Sequence, residues 1–155
     1  MKPRNMIQTM VWTVFFMAAV AVTAYADVSQ AKVLNIKGEA KLLRSGTSDW
    51  VALTPDVMIA EGDKIKTAAA SQVELECAGN AKTAELVVRE STEFAFETFR
   101  HDKGTQNETT MLDVEIGSVL VKAEKLVGDS SFEVKTPTSI VGIRGTTFEV
   151  SVARA

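Results

Sequence analysis

One cysteine and one histidine in 155 residues leave the chain without an internal disulfide, a Cys/His zinc site or a Cys-x-x-Cys redox centre. Prolines are equally scarce, at 3, and the 46% hydrophobic, 24% charged composition excludes wholesale disorder and collagen-like repeats. A basic surplus is missing too. With 17 Lys+Arg against 20 Asp+Glu the net charge is -3, so nothing neutralises a phosphate backbone and nucleic acid is not an expected partner. Aromatics make up only 6%, which leaves few rings for a stacking platform. What remains is a small, acidic, metal-poor chain with room for one domain and a short appendage.

The appendage is residues 1–26. Lys2 and Arg4 give a positive start, residues 10–22 are apolar except for Thr13, and Ala24-Tyr25-Ala26 is the small-x-small pattern that signal peptidase accepts before Asp27. An uncleaved anchor would need about 20 apolar residues to cross the hydrocarbon core, and this run is shorter. No cysteine follows the run and no twin-Arg pair precedes it, so the general secretory route to the periplasm is expected, with cleavage between Ala26 and Asp27 and no membrane span thereafter. Residues 27–155 then form one exported acidic domain, large enough to fold without staples. Cys77 shares the Val73 and Leu75 face and is expected to be a buried small hydrophobe.

Periodicity along this domain is two. Val73, Leu75 and Cys77 alternate with Glu74 and Glu76; Leu112, Val114 and Ile116 with Asp113 and Glu115; Phe148, Val150 and Val152 with Glu149 and Ser151. Shorter runs at 32–36, 86–88, 92–96, 117–122, 132–135 and 140–143 bring the expectation to about nine short strands, separated by turns such as Gly62-Asp63, Gly79-Asn80, Gly128-Asp129 and Thr136-Pro137. Residues 54–60 are the one place where a short helical turn is expected, opened by Pro55. With no amphipathic helix between strands, the fold class is all-β: a single-domain sandwich, barrel or solenoid-like roll.

Catalytic chemistry is nearly absent. His101 lies in the polar loop 100–110 beside Asp102, where a solvated turn histidine is expected, and no Gly-x-Ser-x-Gly elbow accompanies it. Glu74/Glu76 and Asp113/Glu115 pair carboxylates on one strand face, but that is also the solvent face of any half-buried strand. The Gly142 to Gly145 stretch lacks the spacing of a phosphate loop, and Asn107-Glu108-Thr109 matches a glycosylation acceptor that matters only in a eukaryotic secretory pathway. No catalytic residue, cofactor or metal ligand is expected.

Two stretches are more specific. Gly62-Asp63-Lys64-Ile65-Lys66-Thr67 with Ser71-Gln72-Val73-Glu74-Leu75, and Phe132-Glu133-Val134-Lys135-Thr136-Pro137 leading to Val141-Gly142-Ile143-Arg144-Gly145-Thr146-Thr147-Phe148-Glu149-Val150, resemble the two signature stretches of FecR-type periplasmic domains. Gly117-Ser118-Val119 resembles the strand between them, and Gly38-Glu39-Ala40 with residues 50–53 resembles the family's opening, so the resemblance spans 33–152. Family regulators carry an anti-sigma segment and a transmembrane helix ahead of this domain. Here a signal peptide is expected in that place, hence a stand-alone module.

The resemblance implies a non-catalytic module of the bacterial envelope that engages another envelope protein, in signalling or in plain protein–protein interaction. The alternative is a structural, glycan-associated cell-wall module; Trp50 is expected to cap the core with its indole N–H on a carbonyl, its other reading being a ring that stacks on a sugar. The signature residues also have structural readings. Gly62 and Gly145 suit turns, Asp63 and Thr146 can bond neighbouring backbone amides, and Arg144 is expected to give its donors to carbonyls or a carboxylate at a strand corner.

Overall fold

The computed structural model describes residues 29–78, 82–102, 104–126 and 128–153. The expected signal segment, its Ala26/Asp27 cleavage point and the Gly79-Asn80 turn lie outside them. The described chain is all-β, with twelve strands: β1 (Gln30–Lys37), β2 (Ala40–Leu43), β3 (Trp50–Ala52), β4 (Met58–Ile59), β5 (Lys64–Thr67), β6 (Gln72–Ala78), β7 (Lys82–Val88), β8 (Glu93–His101), β9 (Glu108–Ala123), β10 (Ser131–Lys135), β11 (Ile140–Ile143) and β12 (Thr147–Val152). Nine of them run in the order β3-β2-β5-β8-β9-β7-β6-β1-β4, a curled open sheet or half-barrel; of the remaining three, β10 and β12 pair with β9 and β11 pairs with β10.

The strand β9 is the spine. Its first half pairs with β8 on one side and, in parallel, with β10 on the other; its second half pairs with β7 and β12. The sheet therefore has two wings that share one strand, the first ending at β3 and β11, the second at β4 and β12. The sequence shows why the strand switches wings. Leu112 and Val114 are buried at even positions, Val119 and Val121 at odd ones, so the inward phase changes at Gly117. At that point φ is +96, and a β-carbon on Gly117 would lie 2.4 Å from the Thr92 Cα, so only glycine fits the corner.

Three other crossings lie beside this one: β1 to β2 at Gly38-Glu39, β5 to β6 at 68–71 and β7 to β8 at 89–92. A backbone that leaves one wing for the other interrupts its ladder, and small hydroxyl side chains make good the loss. Thr67 Oγ1 donates to Arg89 O at 2.6 Å and accepts from Thr92 N at 3.0 Å; Thr92 Oγ1 accepts from Ser118 N at 2.9 Å; Ser71 Oγ accepts from Glu39 N at 2.9 Å. All three hydroxyl residues are buried.

The alternating apolar residues of both wings form one core. Phe94, Phe96 and Phe99 all reach it because the pairing shifts between Phe96 and Thr98, which restores the inward phase at 99; the Phe96 and Phe99 rings stack 5.2 Å apart. Cys77 is fully buried, and desolvation pushes its thiol far above the ordinary range.

Several expectations are corrected. The strand count rises because β2, β3, β4 and β5 are only two to four residues long, while the runs at 112–116 and 117–122 are one strand bent at Gly117. No helical turn follows Pro55; Asp56 adopts φ +64 in a turn that leads into β4. His101 is not a solvated loop residue but the end of β8, its side chain buried and Nδ1 3.7 Å from Oε1 of its cross-strand neighbour Glu108.

Candidate functional site

The first signature stretch faces inward at alternate residues: Asp63, Ile65 and Thr67 are buried, while Gly62 and Lys66 are exposed. Asp63 is buried between two turns, and its carboxylate accepts from Arg44 Nη1 at 2.7 Å, Ser45 N at 2.9 Å and Ala60 N at 3.0 Å. It thereby ties the β2–β3 turn to the β4–β5 turn. Beside it, the Gly62 N–H donates to Phe96 O at 2.7 Å, and a β-carbon on Gly62 would meet Ser45 Oγ at 2.5 Å. The adjacent Glu61 accepts from Phe99 N at 3.0 Å and from Arg100, whose guanidinium together with that amide holds the Glu61 carboxyl below its ordinary value. Thr67, at the far end of the stretch, is committed to the wing crossing.

The second stretch is mostly surface. Thr136 organises its own turn, accepting at Oγ1 from Ser139 N at 3.1 Å while its N–H donates to Ser139 O at 2.8 Å. Pro137, Gly145 and Thr146 are exposed, Phe148 is half-buried, and Thr146 bonds through its carbonyl, which accepts from Ala123 N at 3.0 Å. Arg144 corrects the expectation made for it. Its side chain is exposed and has no hydrogen-bond or ion-pair partner among the described residues, because β11 ends at Ile143 and the turn carries residue 144 outward.

Four of the signature residues come together along one side of the molecule. A groove of 660 Å³ runs over the wing crossing, lined by Thr67, Arg89, Thr92, Gly117 and Ser118. A second, of 500 Å³, lies between Thr136-Pro137 and the end of β12. The two share Ile116 and Ser151, so they adjoin. Arg144, Gly145 and Thr146 lie elsewhere, at the opposite end of β11 and β12.

Most charges around these grooves are paired; the exception is Glu90, whose carboxylate accepts from the Ala70 amide and has no ion-pair partner among the described residues. Lys64 Nζ is 2.6 Å from Glu115, Lys66 Nζ 2.9 Å from Glu93, and Glu149 accepts from Ser118 Oγ at 2.6 Å and from Arg89 Nε at 2.8 Å. Ser118 first and Arg89 second lower the Glu149 carboxyl; the Glu115 hydrogen bond raises the Lys64 ammonium. Asp113 is likewise engaged, 3.3 Å from Lys135. The result is a largely charge-paired surface rich in hydroxyls, with the outer edge of β12 bonded only to β9 among the described residues. Such a surface suits the amides of an extended polypeptide better than a phosphate or a bare cation. The hydroxyls deepest in it, Thr67 and Thr92, are consumed by backbone bonds. His101 lies at the end of β8, away from both grooves, and among the described residues no cluster of acidic, histidine or cysteine side chains is disposed to hold a metal. Trp50 is half-buried on β3 with the Lys66 ammonium 6.0 Å from its ring centroid. Sequence reasoning found Thr67, Gly117, Thr136 and Pro137 through the resemblance alone; Ser118 and Ser151 offered no signal beyond a polar position on a strand.

The FecR protein family model matches residues 63–155, more than half of the chain, and the chain belongs to that family of signalling-related envelope proteins. The match begins at Asp63, so residues 33–62, which share the sequence resemblance, lie outside it. No curated protein and no solved structure matches the chain. Among the described residues no helix is long and apolar enough to cross a membrane.

Proposed function

We propose that the chain is an exported, non-catalytic binding module of the periplasm, and that it docks an extended segment of an envelope protein in the paired grooves beside β12. The observation that carries this reading is the convergence of Thr67, Gly117, Thr136 and Pro137, drawn from separate parts of the family pattern, on adjoining grooves next to an unpaired strand edge. An extended segment laid along β12 would satisfy its own amides against that edge and find hydroxyl partners in the groove walls. Family membership supports an envelope role, and the sequence of residues 1–26 supports export.

The test is site-specific photo-crosslinking from Ser151 and from Thr138 in intact cells, followed by mass spectrometry. A discrete envelope protein captured from both positions, with capture from Thr138 lost when Ser151→Arg fills the junction of the grooves, is the expected result. Undiminished capture in Ser151→Arg would refute the site. Protein recovered with residues 1–26 still attached would refute cleavage.

A further inference from the structure

The first wing ends in two short strands, β3 and β11, and each is bonded on one side only among the described residues. Sheet edges in native proteins are usually blunted by Lys, Pro or a bulge, because their free amides template pairing with another chain. Neither strand carries any of these. Val51 is 51% exposed in β3, and Ile140 and Val141 are 63% and 40% exposed in β11. One unpaired charge flanks each strand: Asp49 immediately before β3 and Arg144 immediately after β11. Both are exposed and neither has an ion-pair partner among the described residues.

We propose that the two edges are made for each other, so that β11 of one copy adds to β3 of a second copy in a head-to-tail assembly. Strand directions allow it. From β3 to β11 the wing makes four antiparallel steps, one parallel step and one antiparallel step, so the two edges run in opposite directions. Copies stacked the same way up therefore meet antiparallel, and the end of β3 that carries Asp49 meets the end of β11 that carries Arg144.

Side-chain phase selects the register. Val51 is opposite buried Leu42 and Val141 is opposite buried Val134, so both lie on the core-facing side of the sheet. Setting Val51 against Val141 places Trp50 over Gly142, where no side chain obstructs the indole, and Ala52 against Ile140. Asp49 then falls opposite Ile143, one position from Arg144, and since both charges lie just outside their strands they act as opposite charges brought together at one end of the joint. The alternatives are poorer. Pairing of β11 with itself gives Arg144 no carboxylate within residues 136–145, and pairing of β3 with itself gives Asp49 no cation within residues 47–54. A heterologous contact of this kind closes into a ring or continues as a filament. It uses neither β12 nor the grooves, so it goes beyond the docking function and stands or falls apart from it.

Sedimentation velocity of the purified protein over a hundredfold concentration range is the test. The wild-type sedimentation coefficient should climb past that of a dimer, and less steeply in high salt. Arg144→Glu and Asp49→Lys should each sediment as monomers with the wild-type urea midpoint. An equimolar mixture of the two variants should regain assembly, since each then offers the edge the other needs. A wild-type protein that stays monomeric throughout, a dimer that grows no further, or association indifferent to both substitutions would overturn the proposal.

Discussion

The two signature stretches of the chain have opposite fates. Residues 61–67 are drawn inward: Asp63 is buried with three donors, the Gly62 amide is spent on Phe96, and Thr67 bridges two wings. The second stretch starts in the core at Phe132 and Val134 and touches it again at Ile143, but Pro137, Arg144, Gly145 and Thr146 are exposed and β11 is bonded along one side only among the described residues. A recurrent sequence pattern thus has two physical origins in one domain. The first stretch is constrained by the fold, which leaves backbone groups at turns and crossings that only these side chains satisfy. The second is held by the core only through Phe132, Val134 and Ile143, and its exposed apolar and charged groups beyond residue 136 are free to meet a partner.

Substitutions can break this comparison, and the largest effect belongs to the corner on which both wings turn. Gly117→Ala forces a β-carbon against Thr92 at positive φ and should cost about 4 kcal/mol, read as a lower urea midpoint at unchanged slope. Asp63→Ala leaves two part-buried amides without their acceptor and should cost about 2 kcal/mol by the same measurement. Either variant behaving like wild type would place these residues outside the scaffold.

Acid acts at Glu61 beside the first stretch and at Glu149 within the second, both of whose carboxyls are lowered. The folded-state value of Glu61 is lowered, so its contribution is present above the ordinary value of 4.5 and is lost as pH falls through the lower folded value. The wild-type midpoint should therefore drop below pH 4.5, and Glu61→Gln should flatten part of that limb. Because Glu61 is partly exposed, the effect should stay under about 1 kcal/mol. The opposite limb belongs to Lys64, raised by Glu115, and Lys135, raised by Glu97 and Asp113. Their contribution is present below the ordinary value of 10.5 and lost as pH rises through the higher folded values. The smallest effect is predicted for the second stretch: Arg144→Ala should stay within about 0.5 kcal/mol of wild type.

Much of the architecture is legible in alternation. The strands β6, β9 and β12 follow from apolar residues two apart between acids, and the all-β class follows from the missing amphipathic helices. The strands β2 to β5 are not legible, because two to four residues carry too few alternations to rise above a polar surround. The phase change from Val114 to Val119 is visible in retrospect, yet a glycine between two runs reads first as a turn. The site is less legible still. The partners of Asp63, Arg44 and Ser45, lie 18 or 19 positions away in a turn with no pattern of its own. Arg144 misled for a physical reason: a strand corner usually leaves carbonyls in need of donors, whereas here the Thr146 carbonyl already accepts from Ala123 and the arginine projects past the end of β11.

Hydrogen exchange of the dilute protein, read peptide by peptide, tests the central contrast most directly. Amides in residues 62–67 and in their neighbours at 92–96 should exchange only with global unfolding, while those in residues 139–146 should exchange through local opening, orders of magnitude sooner. Equal protection in the two stretches would contradict the division of the signature into a buried scaffold and an exposed surface.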